Sequence, residues 1–174
     1  ETLSLQGVNF NVNMIADLSP LTASKGLTII SAGHNSVNSL EFVSELPELK
    51  TLQISSNLVS DISPLAQLIP VRRHTFNFML DRNSITDIEP LKDTIYSYYV
   101  HKLLLSYNCI PDAENIRYLR EEFIPELFVG KQCEEIPPYD GNLDDLVNKD
   151  LVGGSEAEEP VPVRPGSEQS TAGG

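Results

Sequence analysis

Asparagine returns along this chain at Asn13, Asn35, Asn57, Asn83 and Asn108, each time inside the same apolar frame. The steps between them are 22, 22, 26 and 25 residues. A period in the twenties is the mark of a stacked repeat architecture, and it constrains the fold before any local propensity is weighed. The clearest copy runs Leu49, Leu52, Ile54, Asn57, Val59, Ile62, Leu65, with Asp61, Ser63 and Pro64 set between its last apolar positions. Val8, Phe10, Asn13, Ile15, Asp17, Leu18, Ser19, Pro20 and Leu21 lie over it without a gap. Ile30, Ala32, Asn35, Val37, Leu40 and Val43 follow in step, then Phe78, Leu80, Asn83, Ile85, Asp87, Ile88, Pro90 and Leu91, and finally Leu103, Leu105, Asn108 and Ile110.

Each unit has a direct physical reading. Leu52-Gln53-Ile54 alternates apolar with polar, as a short strand with one buried face does. One such unit cannot bury its apolar side alone, so neighbours must stack and stability is shared across their interfaces. The asparagine is expected to turn inward after each strand, where its amide satisfies backbone groups left unpaired by the turn. Ile62-Ser63-Pro64-Leu65 suits a short helical or 3₁₀ turn, with Asp61 or Ser63 as cap and Pro64 in its first turn. The additional residues of the last two intervals fall around Arg72-Arg73-His74 and Tyr96-Ser97-Tyr98-Tyr99, as longer segments behind the sheet.

The pattern L-x-L-x-x-N-x-I resembles the leucine-rich repeat over roughly residues 1–132. Ser-Pro-Leu and Glu-Pro-Leu at the turns are similar to the 22-residue subtype of bacterial internalins and of the leucine-rich-repeat regulatory subunit of protein phosphatase 1. The resemblance implies an α/β solenoid: a right-handed superhelix with a concave parallel sheet and short helical or 3₁₀ turns on its convex side. Residues 1–111 would hold about five repeats and 112–132 a cap helix. Ile116, Leu119, Phe123, Ile124 and Leu127 recur there at helical spacing, and Pro125 would end or bend the helix. The run Tyr118 to Gly130 is similar to the repeat-closing cap of intracellular eukaryotic proteins, without that cap's aspartate.

The formal net charge is −13; residues 133–174 hold ten acidic and two basic residues, so the tail carries −8 and the rest −5. That balance argues against nucleic acid as a partner, since no basic stripe is present to release counterions. No apolar run approaches a membrane span. The chain enters in register at Leu5, equivalent to Leu27 and Leu49, and so reads as a fragment or processed form of a longer one. With only Cys109 and Cys133, both are expected to be reduced, which points to the cytoplasm or nucleus; a bridge between them, or a lost signal peptide and an extracellular location, is the minor alternative. Residues 133–151 read as a loosely structured extension with one amphipathic patch at Leu143, Leu146 and Val147. The stretch from Leu143 to Leu151 either docks on the stack, binds a partner as an acidic helix or stays unstructured. Residues 152–174 are too rich in Gly, Ser, Glu and Pro to offset chain entropy and read as a disordered acidic tail.

Catalytic chemistry finds no support. His34, His74 and His101 fall in different repeats or inserts without metal-ligand spacing, and neither a phosphate loop nor a nucleophile elbow occurs. The expectation is a non-enzymatic, monomeric module with no cofactor and no metal. Its surface follows from the alternation: residues between the buried positions point from the concave sheet. Gln53, Ser55, Met79, Asp81, Arg82, Lys102, Leu104 and Tyr107 are the candidate contacts for a protein partner, Tyr and Arg being the types that anchor interfaces. The function expected is protein–protein interaction on the concave face, with a regulatory or scaffolding subunit as its narrower form. The alternative is the repeat segment of a bacterial surface or secreted adhesion protein.

Overall fold

A computed structural model describes residues 5–68, 75–92, 99–111, 117, 119 and 124–133. Six strands form one parallel sheet in chain order: β1 (Gly7–Asn9), β2 (Ile29–Ser31), β3 (Thr51–Gln53), β4 (Thr75–Met79), β5 (Tyr99–Leu104) and β6 (Glu126–Phe128). The register runs straight across the stack, from Gly7 through Ile29, Thr51, Asn77 and Lys102 to Glu126. Three 3₁₀ turns, Ser19–Ala23, Glu41–Glu45 and Ser63–Gln67, lie on the other side of the coils. Two of the three hold Pro in their first turn, where its missing N–H costs nothing. Asp61 Oδ1 accepts the Ser63 N–H at 2.8 Å, and Asp17 and Asp87 do the same for Ser19 at 2.7 Å and Glu89 at 2.8 Å. At Ser19–Ala23 and Ser63–Gln67 an aspartate thus satisfies a donor the turn leaves orphaned, whereas before Glu41–Glu45 the acceptor is Ser39 Oγ, at 3.3 Å from the Glu41 N–H.

The core is a continuous row of inward side chains. Ile30, Leu52, Phe78 and Leu103 form one layer, and Ala32, Ile54, Leu80 and Leu105 the next, all buried. Asparagine seals one coil to the next. Asn57 Oδ1 accepts the Val37 N–H of the preceding coil at 2.9 Å, while its Nδ2 donates to Ala32 O at 2.9 Å and to Ile54 O at 2.9 Å. Asn35, Asn83 and Asn108 accept from Ile15, Val59 and Ile85 in the same way, at 2.9, 3.0 and 3.0 Å. Asn13, in the first coil, is exposed, and its side-chain amide donates locally, to Phe10 O and Asn11 O.

The longer third and fourth intervals feed partly into the sheet. β4 begins two residues before the register position of Thr51 and β5 three before, with a bulge between Phe76 and Asn77 that leaves His101 without a register partner. Phe76 and Val100 in these extensions are buried, and Phe76 stacks on Phe78 with ring centroids 5.6 Å apart. The inserts around residues 72–74 and 96–98 lie outside the described residues.

The C-terminal end departs from the expected cap helix. Arg117 and Leu119 are helical, but Glu126–Phe128 pair with β5 as a sixth strand. Gln132 then takes the role of asparagine: its Oε1 accepts the Ile110 N–H at 3.1 Å, and its Nε2 donates to Leu105 O at 2.8 Å. A glutamine side chain is one methylene longer yet carries the same amide.

That sixth coil also overturns the reading of the cysteines as reduced. Cys109 and Cys133 are disulfide-bonded, with Cα atoms 4.3 Å apart. Each follows the sealing amide of its coil, Asn108 and Gln132, so equivalent positions one coil apart stack within bonding reach. Among the described residues no cysteine is free. The extension 133–151 and the tail 152–174 lie, after Cys133, outside the described residues.

Candidate functional site

Three rows of side chains leave the sheet on the face opposite the core. One begins at Asn9 and runs through Ser31, Gln53, Met79 and Leu104 to Phe128; the row two residues earlier runs from Gly7 through Ile29, Thr51, Asn77 and Lys102 to Glu126. The third continues the ladder past the strand ends through Asn11, Gly33, Ser55, Asp81, Ser106 and Gly130. Here Val12, His34, Ser56, Arg82 and Tyr107 donate their N–H to the carbonyls of Gly33, Ser55, Asp81, Ser106 and Gly130 at 2.9, 2.9, 3.0, 2.9 and 3.3 Å. Each of those five donors has a positive φ between 54° and 59°. Only this left-handed bend turns the chain out of the strand while keeping its N–H on the neighbouring coil. It costs a non-glycine residue about 1–2 kcal/mol, which the repeated ladder bond and the asparagine seal offset.

Six of the eight candidate contacts occupy these rows, Arg82 and Tyr107 sit at the bends just past the third, and their exposure differs. Gln53, Ser55, Met79, Asp81 and Leu104 are buried, Ser55 at 0 % and Met79 at 4 %. Arg82, Lys102 and Tyr107 are half-buried. Met79 and Leu104 are register partners, and they sit outside the hydrophobic core cluster that holds Phe78, Leu80, Leu103 and Leu105. They are an apolar patch of the outer face itself. At the other end of the same face Ile29 remains 47 % exposed although strands flank it on both sides.

Polar groups frame the patch. Ser55 Oγ donates to Asp81 Oδ1 at 2.6 Å. Burial pushes the Asp81 carboxyl above the usual carboxylate range, against the pull of that hydrogen bond and of Arg82 and Lys102. Lys102 Nζ meets Glu126 at 3.0 Å and His101 Nε2 meets it at 3.3 Å, and the lysine chiefly holds the Glu126 carboxyl below its ordinary value. The Tyr107 ring lies between two cations: Arg82 Cζ at 5.2 Å from its centroid and Lys131 Nζ at 5.4 Å. Each such contact contributes on the order of 0.5–1 kcal/mol at partly exposed sites. His34 is held below its usual pKa, first by burial and then by the charge of Arg82.

Lys131 belongs to this site and was not among the eight. Its position before Gln132 matches Arg82 before Asn83 and Tyr107 before Asn108, so reading Gln132 as a sixth sealing amide would have found it. Among the described residues no group of three His, Cys, Asp or Glu is placed to hold a metal ion, and no helix is long and apolar enough to cross a membrane. His74 lies outside the described residues.

Among solved structures the chain is similar to an internalin (inlF) from Listeria monocytogenes, with a TM-score of 0.61 and 27 % identity over 74 % of this chain and 35 % of that one. An internalin C2 (inlC2) from the same organism overlaps 55 % of this chain and 40 % of its own, with 34 % identity and a TM-score of 0.48. The chain therefore spans about a third of the first protein's length and two fifths of the second's. No protein-family model and no curated protein matches it by sequence. With a sheet that gains one parallel strand per coil, the structural likeness gives the chain a leucine-rich-repeat solenoid fold similar to that of the internalin inlF.

Proposed function

We propose that this chain is a non-enzymatic interaction module that takes a protein partner on the concave face, at the end formed by β4, β5 and β6. The observation that supports this most is the Arg82–Tyr107–Lys131 stack at the rim of the Met79–Leu104 patch. Tyr and Arg supply large contact area and directed hydrogen bonds, and they dominate binding energy where a partner desolvates them. A sheet held in register by an amide in every coil is preorganised, so little ordering entropy is spent on association. The partner is a protein rather than nucleic acid, given the net charge of −13. A regulatory or scaffolding subunit is one form such a module takes.

The compartment reading changes with the disulfide. The cytoplasmic expectation rested on two reduced thiols, and a Cys109–Cys133 bond persists in an oxidising environment. This favours the second reading, a surface or secreted repeat segment, and the likeness to Listeria internalins supports it as well.

Arg82 and Tyr107 have φ near +55°, so alanine there adds backbone strain; asparagine tolerates that region. The double substitution Arg82→Asn and Tyr107→Asn should weaken binding of a purified partner by roughly tenfold or more, at about 1.4 kcal/mol per decade, while leaving the melting temperature within a few degrees. Unchanged affinity would place the partner on another surface.

A further inference from the structure

Charge is distributed by side along the stack. Asp17, Asp61 and Asp87 accept backbone N–H groups at the turns, and Glu41, Glu45 and Glu89 lie in the turns themselves. The sheet side at β4 to β6 carries cations instead: Arg82, Lys102 and Lys131. Among the described residues two carboxylates share that side, and both are engaged away from Arg82. Glu126 meets Lys102 and His101. Asp81 takes the Ser55 hydroxyl at 2.6 Å, and burial pushes its pKa up toward the neutral form.

Among the described residues no carboxylate forms an ion pair with Arg82. Its charge is felt two coils back, where it helps to lower the pKa of His34. Arg82 Nε and Ser56 Oγ are both buried and meet no hydrogen-bond partner within the protein. The two residues hold equivalent positions on adjacent coils, before Asn83 and Asn57. A buried donor without an acceptor is costly, and two on neighbouring coils point to an acceptor supplied from outside.

We propose that this row is a carboxylate site, where an acidic segment of the protein partner sets an Asp or Glu side chain against Arg82 and Ser56. The guanidinium lies over the Tyr107 ring, 5.2 Å from its centroid, so its plane is held and its Nε/Nη edge is left to pair with both oxygens of a carboxylate. The Ser56 hydroxyl donates to one of the same oxygens. Lys131, also over that ring, attracts the acidic neighbours of the docked residue. A protein segment fits better than nucleic acid, because these cations form a short cluster on a chain of net charge −13, not a stripe that tracks a phosphate backbone. The inference rests on the concave-face reading and names the chemistry of its ligand. Its test uses a synthetic probe, so a failure here is distinct from a failure of that reading, which is judged on a purified partner.

Hexaglutamate titrated into the isotope-labelled full chain is the probe, since NMR maps weak binding residue by residue. The Arg82 Nε–H signal and the backbone amides of Ser56, Arg82 and Tyr107 should shift together and saturate, while those of Glu41–Glu45 on the turn side stay in place. Hexaglutamine should move none of them. Arg82→Lys keeps the charge and suits the backbone, since Lys131 holds φ 53° at the equivalent position, but it lacks the fork. It should weaken hexaglutamate by about tenfold, the worth of one charge-assisted hydrogen bond. Ser56→Gly, at φ 55°, removes the hydroxyl without backbone strain and should also weaken it by roughly tenfold. Three results would each overturn the proposal: no shift of the Arg82 Nε–H at millimolar hexaglutamate, equal binding by the parent and Arg82→Lys, or hexathymidylate bound as tightly as hexaglutamate.

Discussion

Asp81 shows what a single residue gives up to complete this face. Its carboxylate is desolvated beneath the outer surface, and one short bond from Ser55 Oγ at 2.6 Å only partly compensates. The linkage has a definite sign. With its folded pKa raised above 3.8, the folded state holds the proton more tightly than the unfolded chain does. Stability from this group is therefore full below 3.8 and is lost as pH rises through the folded value. Asp81→Asn keeps an acceptor for Ser55 and removes the charge, so it should raise the melting temperature at pH 7. That gain should shrink as the pH is lowered toward 4, and a melting temperature lowered by the substitution at pH 7 would show that Arg82 and Lys102 outweigh desolvation. The left-handed residues before each sealing amide were not legible beforehand for an equally local reason. Val12, His34, Ser56, Arg82 and Tyr107 are not the glycine or asparagine that advertise positive φ, and only the ladder bonds they make explain it.

At the scale of elements, the last coil is where pattern and structure part company. Residues 112–132 carry helical spacing, and Arg117 and Leu119 are helical, but Glu126–Phe128 is β6. The period was there to be seen: Asn108 to Gln132 is 24 residues, within the range of the other steps. Glutamine in place of asparagine hid it, and with it the stacking that brings Cys109 to Cys133. The five asparagine coils and their turns were readable because burial of Leu, Ile and one amide per coil leaves few choices of residue. Burial of Gln53, Met79 and Leu104 was not, since alternation tells which face a side chain leaves, not how tightly its neighbours in the sheet pack around it. The disulfide closes the sixth coil onto the fifth across a separation of 24 residues. The unreduced protein should contain no titratable thiol, and Cys109→Ser/Cys133→Ser should lower unfolding free energy by about 3 kcal/mol in the chain-entropy account. Two free thiols in protein isolated under non-reducing conditions would remove both the bond and the compartment reading built on it.

For the molecule as a whole, stability is a sum over coils and the contacts between them. Hydrophobic layers supply the bulk of it, but Leu and Ile do not fix where one coil sits on the next. The amide does, because Asn57 bonds backward to Val37 and Ala32 of the preceding coil, and Asn83 bonds backward to Val59 and Ile54. The proposed binding face inherits its register from that seal. Amide hydrogen exchange in Asn57→Ala tests this most directly. The loss of buried partners should cost about 2 kcal/mol, and protection should collapse at the Val37 N–H while the Val59 N–H, held by Asn83 Oδ1 at 3.0 Å, keeps its own. If the Val37 amide exchanged in the variant as slowly as in the parent, the asparagine would not be the link between coils, and the stacked account of this protein would be contradicted.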